Sequence, residues 1–317
     1  MAPDPLNLSS NFGETLGFLY EQRYRYFIRN DARGKPRVAS VDLTKVKSLD
    51  LAAGLAMVAE YHRALQANAS TDFRPYIDDE TWDPDVRILL RDLGLYELVR
   101  ARNRPESDSV EHGIRFVPFR VCDSVDGSVL DPLIEDIRTA AGRAPKRLAV
   151  YGALMEAVKN AIIHAYPDEA QELRVDPLHK LWWAAGAYFP DDDTLEFVVY
   201  DQGIGIPGTL TKKSLWEAVR DFCPPEFTDA DVIAGALELG RTSTKRLERG
   251  NGLWTICRLA SELPGSQVRI MSGTGDVLFA PGKTRPVRKK SQLNPFCGTL
   301  IHWSLVMPTD AHTGSQQ

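Results

Sequence analysis

The sequence predicts an α+β protein in which helices pack on a sheet. Residues 154–166 have apolar side chains at helical spacing, which predicts an amphipathic helix with one buried face. Residues 194–200 form a short run rich in β-branched and aromatic side chains, which is typical of a strand. Residues 299–307 have a similar composition near the C-terminus. Helices and strands are therefore expected to share one core.

Length and composition indicate a folded chain with room for two domains. Of its 317 residues, 43% are hydrophobic and 26% are charged, unlike a disordered or fibrous chain. The formal net charge of −5 gives no electrostatic basis for nucleic acid or an anionic membrane as the main partner. The four cysteines lack CxxC spacing, and neither a membrane span nor a signal peptide is visible. We expect a cytoplasmic protein.

The N-terminal part is predicted to be a small α/β domain, residues 24–120, behind a flexible N-terminus, residues 1–23. Ser48 is a plausible N-cap for one helix, and Asp83-Pro84 and Gly94 mark the start and end of another. The predicted helices are 49–67 and 83–94, and the predicted strands are 24–29, 37–43, 73–77 and 114–121.

The second domain is predicted to cover residues 121–308, followed by a disordered tail, 309–317. Asp131-Pro132 is expected to begin a helix, and Pro145 to begin the helix that contains residues 154–166. Further helices are predicted at 214–222, 229–239 and 253–263, strands at 194–200 and 298–307, a hairpin-like pair at 267–272 and 276–279, and a basic loop at 283–290.

A polar stripe distinguishes the helix at 154–166. Glu156, Asn160 and His164 are spaced four residues apart, so they share one helix face. Alone, such a stripe is most often a solvated face. Three further motifs follow in order, and they change the interpretation: Asp201, Gly203 and Gly205 after a strand, Gly250, Asn251 and Gly252 at a helix start, and Gly298-Thr299 at the final strand.

This order of motifs resembles the GHKL superfamily, the histidine-kinase-like ATPases. The resemblance implies a two-layer α/β sandwich over residues 121–308 that binds ATP and Mg²⁺. It implies that Asn160 ligates magnesium and that Glu156 is the general base. Asp201 would accept a hydrogen bond from the adenine amino group, and Thr299 would support that contact.

Other residues are candidates for nucleotide contact on the same resemblance. Gly203 and Gly205 would let the backbone pass close to the base. His164 has an alternative role, because a cationic side chain also suits a helix C-terminus. Hydroxyl, basic and glycine residues near a helix start suit phosphate binding. The remaining candidates are Ile206, Arg241, Thr244, Lys245, Gly250, Asn251, Gly252 and Leu253.

Three functions remain open at this point. The first is an ATP-dependent regulator that binds, hydrolyses or transfers phosphate from ATP to control a protein partner, as an ATPase or a serine/threonine kinase. The pattern NAxxHAY at residues 160–166 looks particularly like the anti-sigma-factor kinases, which favours this first function. The second is a catalytically inactive ATP-binding scaffold or sensor. The third is a histidine kinase fragment, which the lack of a phosphoacceptor motif disfavours.

The N-terminal part bears on the partner. Its predicted alternation of strands and helices, with the helix at 83–94, resembles STAS-like domains, which serve as protein docking surfaces. An extension that only supports the ATPase is equally compatible. The expected partner is a protein, by analogy a STAS-like or sigma-factor-like regulator, with a homodimer as a further option.

Overall fold

The computed structural model describes residues 2–28, 42–67, 74–104, 113–125, 127–142, 147–167, 180–211, 215–242, 252–280, 282, 286 and 288–307. The chain divides into two compact units. Unit 1 comprises Met1–His112 with Pro118–Arg120, and unit 2 comprises Gly113–Val117 with Val121–Gln317. Within the described ranges, no helix is long and apolar enough to cross a bilayer.

The regular elements that the structure describes in unit 1 before residue 105 are helices, joined by irregular segments. Its helices are α1 (Phe12–Ile28), α2 (Leu51–Ala67), α3 (Pro84–Asp92) and α4 (Leu95–Leu98). The predicted helices at 49–67 and 83–94 are confirmed. Asp83 caps α3 by accepting a hydrogen bond from the Asp85 N–H at 3.1 Å, and Gly94, with φ of 90°, follows its end.

Two expectations for the start of unit 1 are wrong, and a third lies mostly outside the described residues. Residues 1–23 were expected to be flexible, but α1 begins at Phe12, and Leu6 and Leu8 are fully buried. The strand expected at 24–29 is helical through Ile28, because apolar residues at helical spacing continue from the preceding turns. Residues 37–41 of the next strand lie outside the described residues, and residues 42 and 43 are irregular.

The edge strand expected at 73–77 is also wrong for its described part, residues 74–77. Its backbone bonds to residues 102 and 103 instead of to a neighbouring strand. The Asn103 carboxamide accepts from the Ile77 N–H at 2.9 Å and donates to the Ile77 carbonyl at 2.7 Å, and the Arg102 N–H donates to the Pro75 carbonyl at 2.8 Å. These contacts take the place of a sheet ladder.

Unit 2 contains a five-stranded sheet in the order β1-β2-β3-β5-β4. The strands are β1 (Arg115–Cys122), β2 (Trp182–Phe189), β3 (Thr194–Asp201), β4 (Gln267–Phe279) and β5 (Arg288–Val306). The pairs β2/β3, β3/β5 and β5/β4 are antiparallel. The helices are α5 (Gly127–Ala141), α6 (Arg147–His164), α7 (Gly205–Leu210), α8 (Trp216–Arg220), α9 (Asp229–Thr242) and α10 (Gly252–Ser261).

One core joins α5, α6, α9 and α10 to one face of this sheet. Alternate residues of the strands enter it, such as Phe197 of β3 and Trp303 of β5, whose rings stack with centroids 4.5 Å apart. The Trp303 indole N–H also donates to the Ile256 carbonyl of α10 at 2.9 Å. The predicted α+β class is confirmed at this level, and the ATPase type of the fold stays a prediction.

Most elements predicted for unit 2 are confirmed, but helix α7 was not predicted and there are further differences. Helix α5 begins at Gly127, so Pro132 lies inside it rather than at its start. The hairpin expected at 267–279 is one strand, because both halves pair with β5 across register shifts at Ser272 to Gly275. Residues 288–290, expected in a loop, begin β5, which extends ten residues before the expected start at 298. Strand β2 was not predicted.

A buried ion pair closes the irregular part of β4. Arg269 contacts both carboxylate oxygens of Asp276 at 2.7 and 2.9 Å, and the two side chains are 7% and 1% exposed. We expect Asp276→Ala to destabilise unit 2 by about 3–5 kcal/mol, because it leaves the arginine charge buried without its carboxylate.

Chemical unfolding followed by tryptophan fluorescence measures this change, since Trp82 is the only one of the six tryptophans outside unit 2. Glu262→Ala is the matched control, because its pair with Arg258 is long at 3.8 Å and solvent-exposed. Equal unfolding midpoints for the two variants would contradict the expectation.

Candidate functional site

The polar face of α6 meets the start of α10. A Cβ atom added at Gly252, the first residue of α10, would lie 2.7 Å from the Oε2 atom of Glu156 and 3.6 Å from the Nδ2 atom of Asn160. A side chain at position 252 would therefore fill the space that the carboxylate and the carboxamide face. One turn earlier on α6, a Cβ at Gly152 would lie 3.8 Å from Thr255, so small residues keep the helices close.

Glu156 is only partly buried. Its side chain is 31% exposed, and the Lys159 ammonium lies 4.0 Å from its Oε1 atom. Lys159 itself is 51% exposed, as expected for a residue off the stripe. The carboxylate is thus held near the start of α10 and is still accessible to a small molecule.

Asp201 lies at the other end of the candidate site, at the last position of β3. The register of β3 and β5 places it directly opposite Thr299. Its carboxylate is 6% exposed and accepts a hydrogen bond from the Gly203 N–H at 2.9 Å. Burial raises the pKa of Asp201 to about 7, against the opposing effect of hydrogen bonds from Gly203 and from the Thr299 backbone and side chain.

The loop after Asp201 is fixed to the end of α6. The Ile204 N–H donates to the Ala165 carbonyl at 2.8 Å, and the Thr209 hydroxyl donates to the His164 carbonyl at 3.2 Å. A Cβ at Gly203 would overlap the Ala165 carbonyl, so only glycine permits this approach. The same helix that carries Glu156 and Asn160 therefore positions the loop behind Asp201.

Gly205 provides the turn into α7. Its φ of +77° is a conformation that favours glycine, and a Cβ there would lie 2.6 Å from the Ser272 hydroxyl. The next residue, Ile206, donates its N–H to that hydroxyl at 2.8 Å. Both predicted loop glycines thus have a steric reason in the structure.

The other predicted site residues have different positions. His164 lies half-buried in the last turn of α6. Arg241, at the end of α9, forms an ion pair with Glu238 at 2.7 Å, and within the described part of the chain no hydrogen bond or ion pair joins it to Glu156 or Asp201. Leu253 packs on the core. Thr244, Lys245, Gly250 and Asn251 lie outside the described residues.

Sequence reasoning missed two residues that hold this site together. The Tyr166 hydroxyl donates to the Leu181 carbonyl at 2.6 Å and accepts from the Gln202 N–H at 2.9 Å, which fixes the residue after Asp201. Ser272 of β4 contacts Ile206 and Thr299. The sequence offers one signal for Ser272, a polar residue between two apolar stretches of a strand. Such residues are also common at the ends of sheets, so the signal is not specific.

The described side chains do not form a metal centre by themselves. Among the described residues, no group of three or more His, Cys, Asp or Glu side chains could hold a metal ion. A divalent ion at Asn160 would therefore need oxygen ligands from a phosphate group and from water.

Comparisons with protein-family models, with curated proteins and with solved structures found no significant match. The geometry of unit 2 and the order of its motifs are accordingly the basis for a functional proposal.

The pH dependence of stability tests the environment of Asp201. Its folded pKa of about 7 exceeds the ordinary value of 3.8, so between these values the folded chain holds a proton that the unfolded chain has lost. The free energy of unfolding should therefore fall as pH rises from about 4 to 7, by up to about 4 kcal/mol from this group, and level off above pH 7.

Urea unfolding of wild type and Asp201→Asn at several pH values isolates this contribution, because the amide cannot titrate. The difference in unfolding free energy, wild type minus variant, should decrease across that window. Parallel pH curves for the two proteins would show that Asp201 does not hold the proton.

Proposed function

We propose that this chain is an ATP-binding regulatory protein that binds Mg-ATP in unit 2 and uses binding, hydrolysis or phosphotransfer to control a protein partner. The observation that carries the proposal is the position of one helix, α6. Its polar residues Glu156 and Asn160 face the start of α10, and its C-terminal end contacts the loop behind Asp201. The motifs that resemble GHKL ATPases are thereby connected in one unit.

The residues at the start of α10 fit a phosphate group with its metal ion. The first backbone N–H groups of a helix have no partner within the helix, and the helix dipole favours an anion there. Gly252 leaves that helix start open toward α6, where the Asn160 carboxamide offers the hard oxygen ligand that magnesium prefers. These two elements would hold the phosphates and the ion.

The residues at the end of β3 fit adenine. Asp201 is a buried acceptor when it is ionised, and the adenine amino group is a donor. Guanine presents a carbonyl oxygen at the same position, which would face a carboxylate as a second acceptor. The Thr299 hydroxyl and the Gly203 N–H hold the carboxylate in place for this contact.

In this proposal Glu156 is the general base. Bound Mg-ATP would supply the phosphoryl group, and the attacking group would be water in an ATPase or a partner hydroxyl in a serine/threonine kinase. In either case a carboxylate oxygen of Glu156 would take the proton from the attacking oxygen. Its partial exposure allows such a molecule to reach it.

Control of a protein partner is the biological role that this proposal favours. The pattern NAxxHAY at residues 160–166 resembles the anti-sigma-factor kinases, whose partners are proteins. The chain also has a second compact unit besides the ATPase-like one. A STAS-like or sigma-factor-like regulator would be the partner to test first.

The first experiment is calorimetric titration of Mg-ATP and Mg-GTP into wild type and Asp201→Asn. We expect ATP to bind in preference to GTP, and the substitution to weaken ATP binding about tenfold or more, because the adenine amino group loses a charged acceptor. Asp191→Asn, an exposed acid at the start of the β2–β3 turn, is the control and should change nothing. Equal affinity for both nucleotides would refute the adenine contact.

Two further substitutions separate binding from chemistry. Asn160→Ala should abolish magnesium-dependent ATP binding, whereas Glu156→Gln should keep it and lower product formation at least about 100-fold, because the general base is lost. ADP release, with and without candidate partner proteins, is the measurement. Unchanged turnover in the Glu156 variant would remove it as the base, and ATP binding with no product in wild type would indicate a passive sensor.

A further inference from the structure

Ser272 joins three segments of the chain beneath Asp201. It lies on β4, next to the register shift, and is fully buried. Its hydroxyl accepts from the Ile206 N–H at 2.8 Å, donates to the Gly298 carbonyl at 2.9 Å, and lies 3.1 Å from the Thr299 hydroxyl. One side chain therefore connects β4, β5 and the loop that begins α7.

The count of hydrogens makes these contacts interdependent. Ser272 and Thr299 each have a single hydroxyl hydrogen, and the acceptors around them are the Gly298 carbonyl, the Asp201 carboxylate and the two hydroxyl oxygens themselves. With the Ser272 hydrogen on the Gly298 carbonyl, the Thr299 hydroxyl hydrogen has two acceptors, the Asp201 carboxylate and the Ser272 oxygen. Ser272 therefore shares the Thr299 hydroxyl with Asp201 and influences its orientation.

The steric environment leaves this position little freedom. A Cβ at Gly205 would lie 2.6 Å from the Ser272 hydroxyl, so the loop passes directly over it. The Ile206 N–H is near the start of the short helix α7, where a backbone donor has no partner within the helix. Without the serine oxygen, the Ile206 N–H would lose its acceptor. The loop would then no longer be held at a fixed distance from β4.

We propose that Ser272 is a positioning residue for nucleobase selectivity: it orients Thr299 and the loop at 203–206 so that Asp201 distinguishes an adenine amino group from a carbonyl. This inference rests on the function proposed above and deepens it. Ser272 acts through Asp201 and Thr299, since its own hydroxyl is occupied by protein groups.

The test compares Mg-ADP with Mg-IDP, whose base has a carbonyl in place of the amino group. For wild type we expect ADP to bind more tightly. Ser272→Ala should reduce the ratio of the two dissociation constants about fivefold, because one positioning hydrogen bond near the base is lost while the phosphate contacts are unchanged. A merely structural role for Ser272 would change stability and leave this ratio as it was.

Ser266→Ala is the matched control. Ser266 is also a buried serine that accepts a backbone N–H, from Val306 at 2.9 Å, but it lies near the opposite end of β5. Ser266→Ala should lower the free energy of unfolding by an amount comparable to Ser272→Ala and leave the preference for ADP unchanged.

Two outcomes overturn the inference. If wild type prefers ADP and Ser272→Ala has the same preference, Ser272 has no positioning role, and the proposed function is unaffected. If wild type binds neither nucleotide, the proposed function fails and this inference fails with it. Should Ser272→Ala not fold, Ser272→Cys keeps the size with a weaker hydrogen-bonding atom, and an unchanged ratio in that variant would also refute the role.

Discussion

The antiparallel pairing of β3 with β5 is the constraint on which the candidate site depends. It places Asp201 opposite Thr299 although almost a hundred residues separate them in the chain. The same pairing aligns Phe197 with Trp303, whose stacked rings form part of the core. A slip of one residue would turn both pairs to the wrong face, so core packing and the position of the carboxylate are specified together.

Helix α6 connects the end of β3, where Asp201 lies, to the part of the candidate site near Glu156 and the start of α10. Its buried face belongs to the core, its polar face meets the start of α10, and its C-terminal carbonyls accept from the loop after β3. Three parts of this helix therefore contact other elements of unit 2. This explains why glycines occur where other elements approach it, at Gly203 and Gly252, since a larger residue would separate the parts.

The sequence predicted the parts of the site that have local signals. Asp201 was a candidate because it ends a predicted strand, and Glu156 because it lies on the polar stripe of a predicted helix. The strand and the helix are confirmed, and the roles of the two residues stay predictions. Ser272 was not found, because its role depends on a register shift between β4 and β5, which involves residues far apart in sequence. Strand β2 was missed because its continuous apolar run lacks the alternation that marks a strand.

The errors in unit 1 have a similar cause. Aromatic and β-branched residues at 24–28 have strand propensity, but the helical turns before them continue through Ile28. In the segment at 74–77, Ile77 bonds to the Asn103 side chain and Pro75 to the Arg102 N–H, and no local sequence pattern indicates these contacts. The resemblance of this unit to a STAS-like domain therefore depends on elements that the described residues do not contain, and it stays a hypothesis.

The two ends of the candidate site differ in a way that suits selection at one end and reaction at the other. Asp201 is buried and held by several hydrogen bonds, so it can accept only a group of fitting shape and polarity. Glu156 is partly exposed beside a helix start, so a hydroxyl from another molecule can approach it. Under the function proposed above, the buried end would select the base and the accessible end would admit a partner hydroxyl, so that the partner could contribute the attacking group without reaching Asp201.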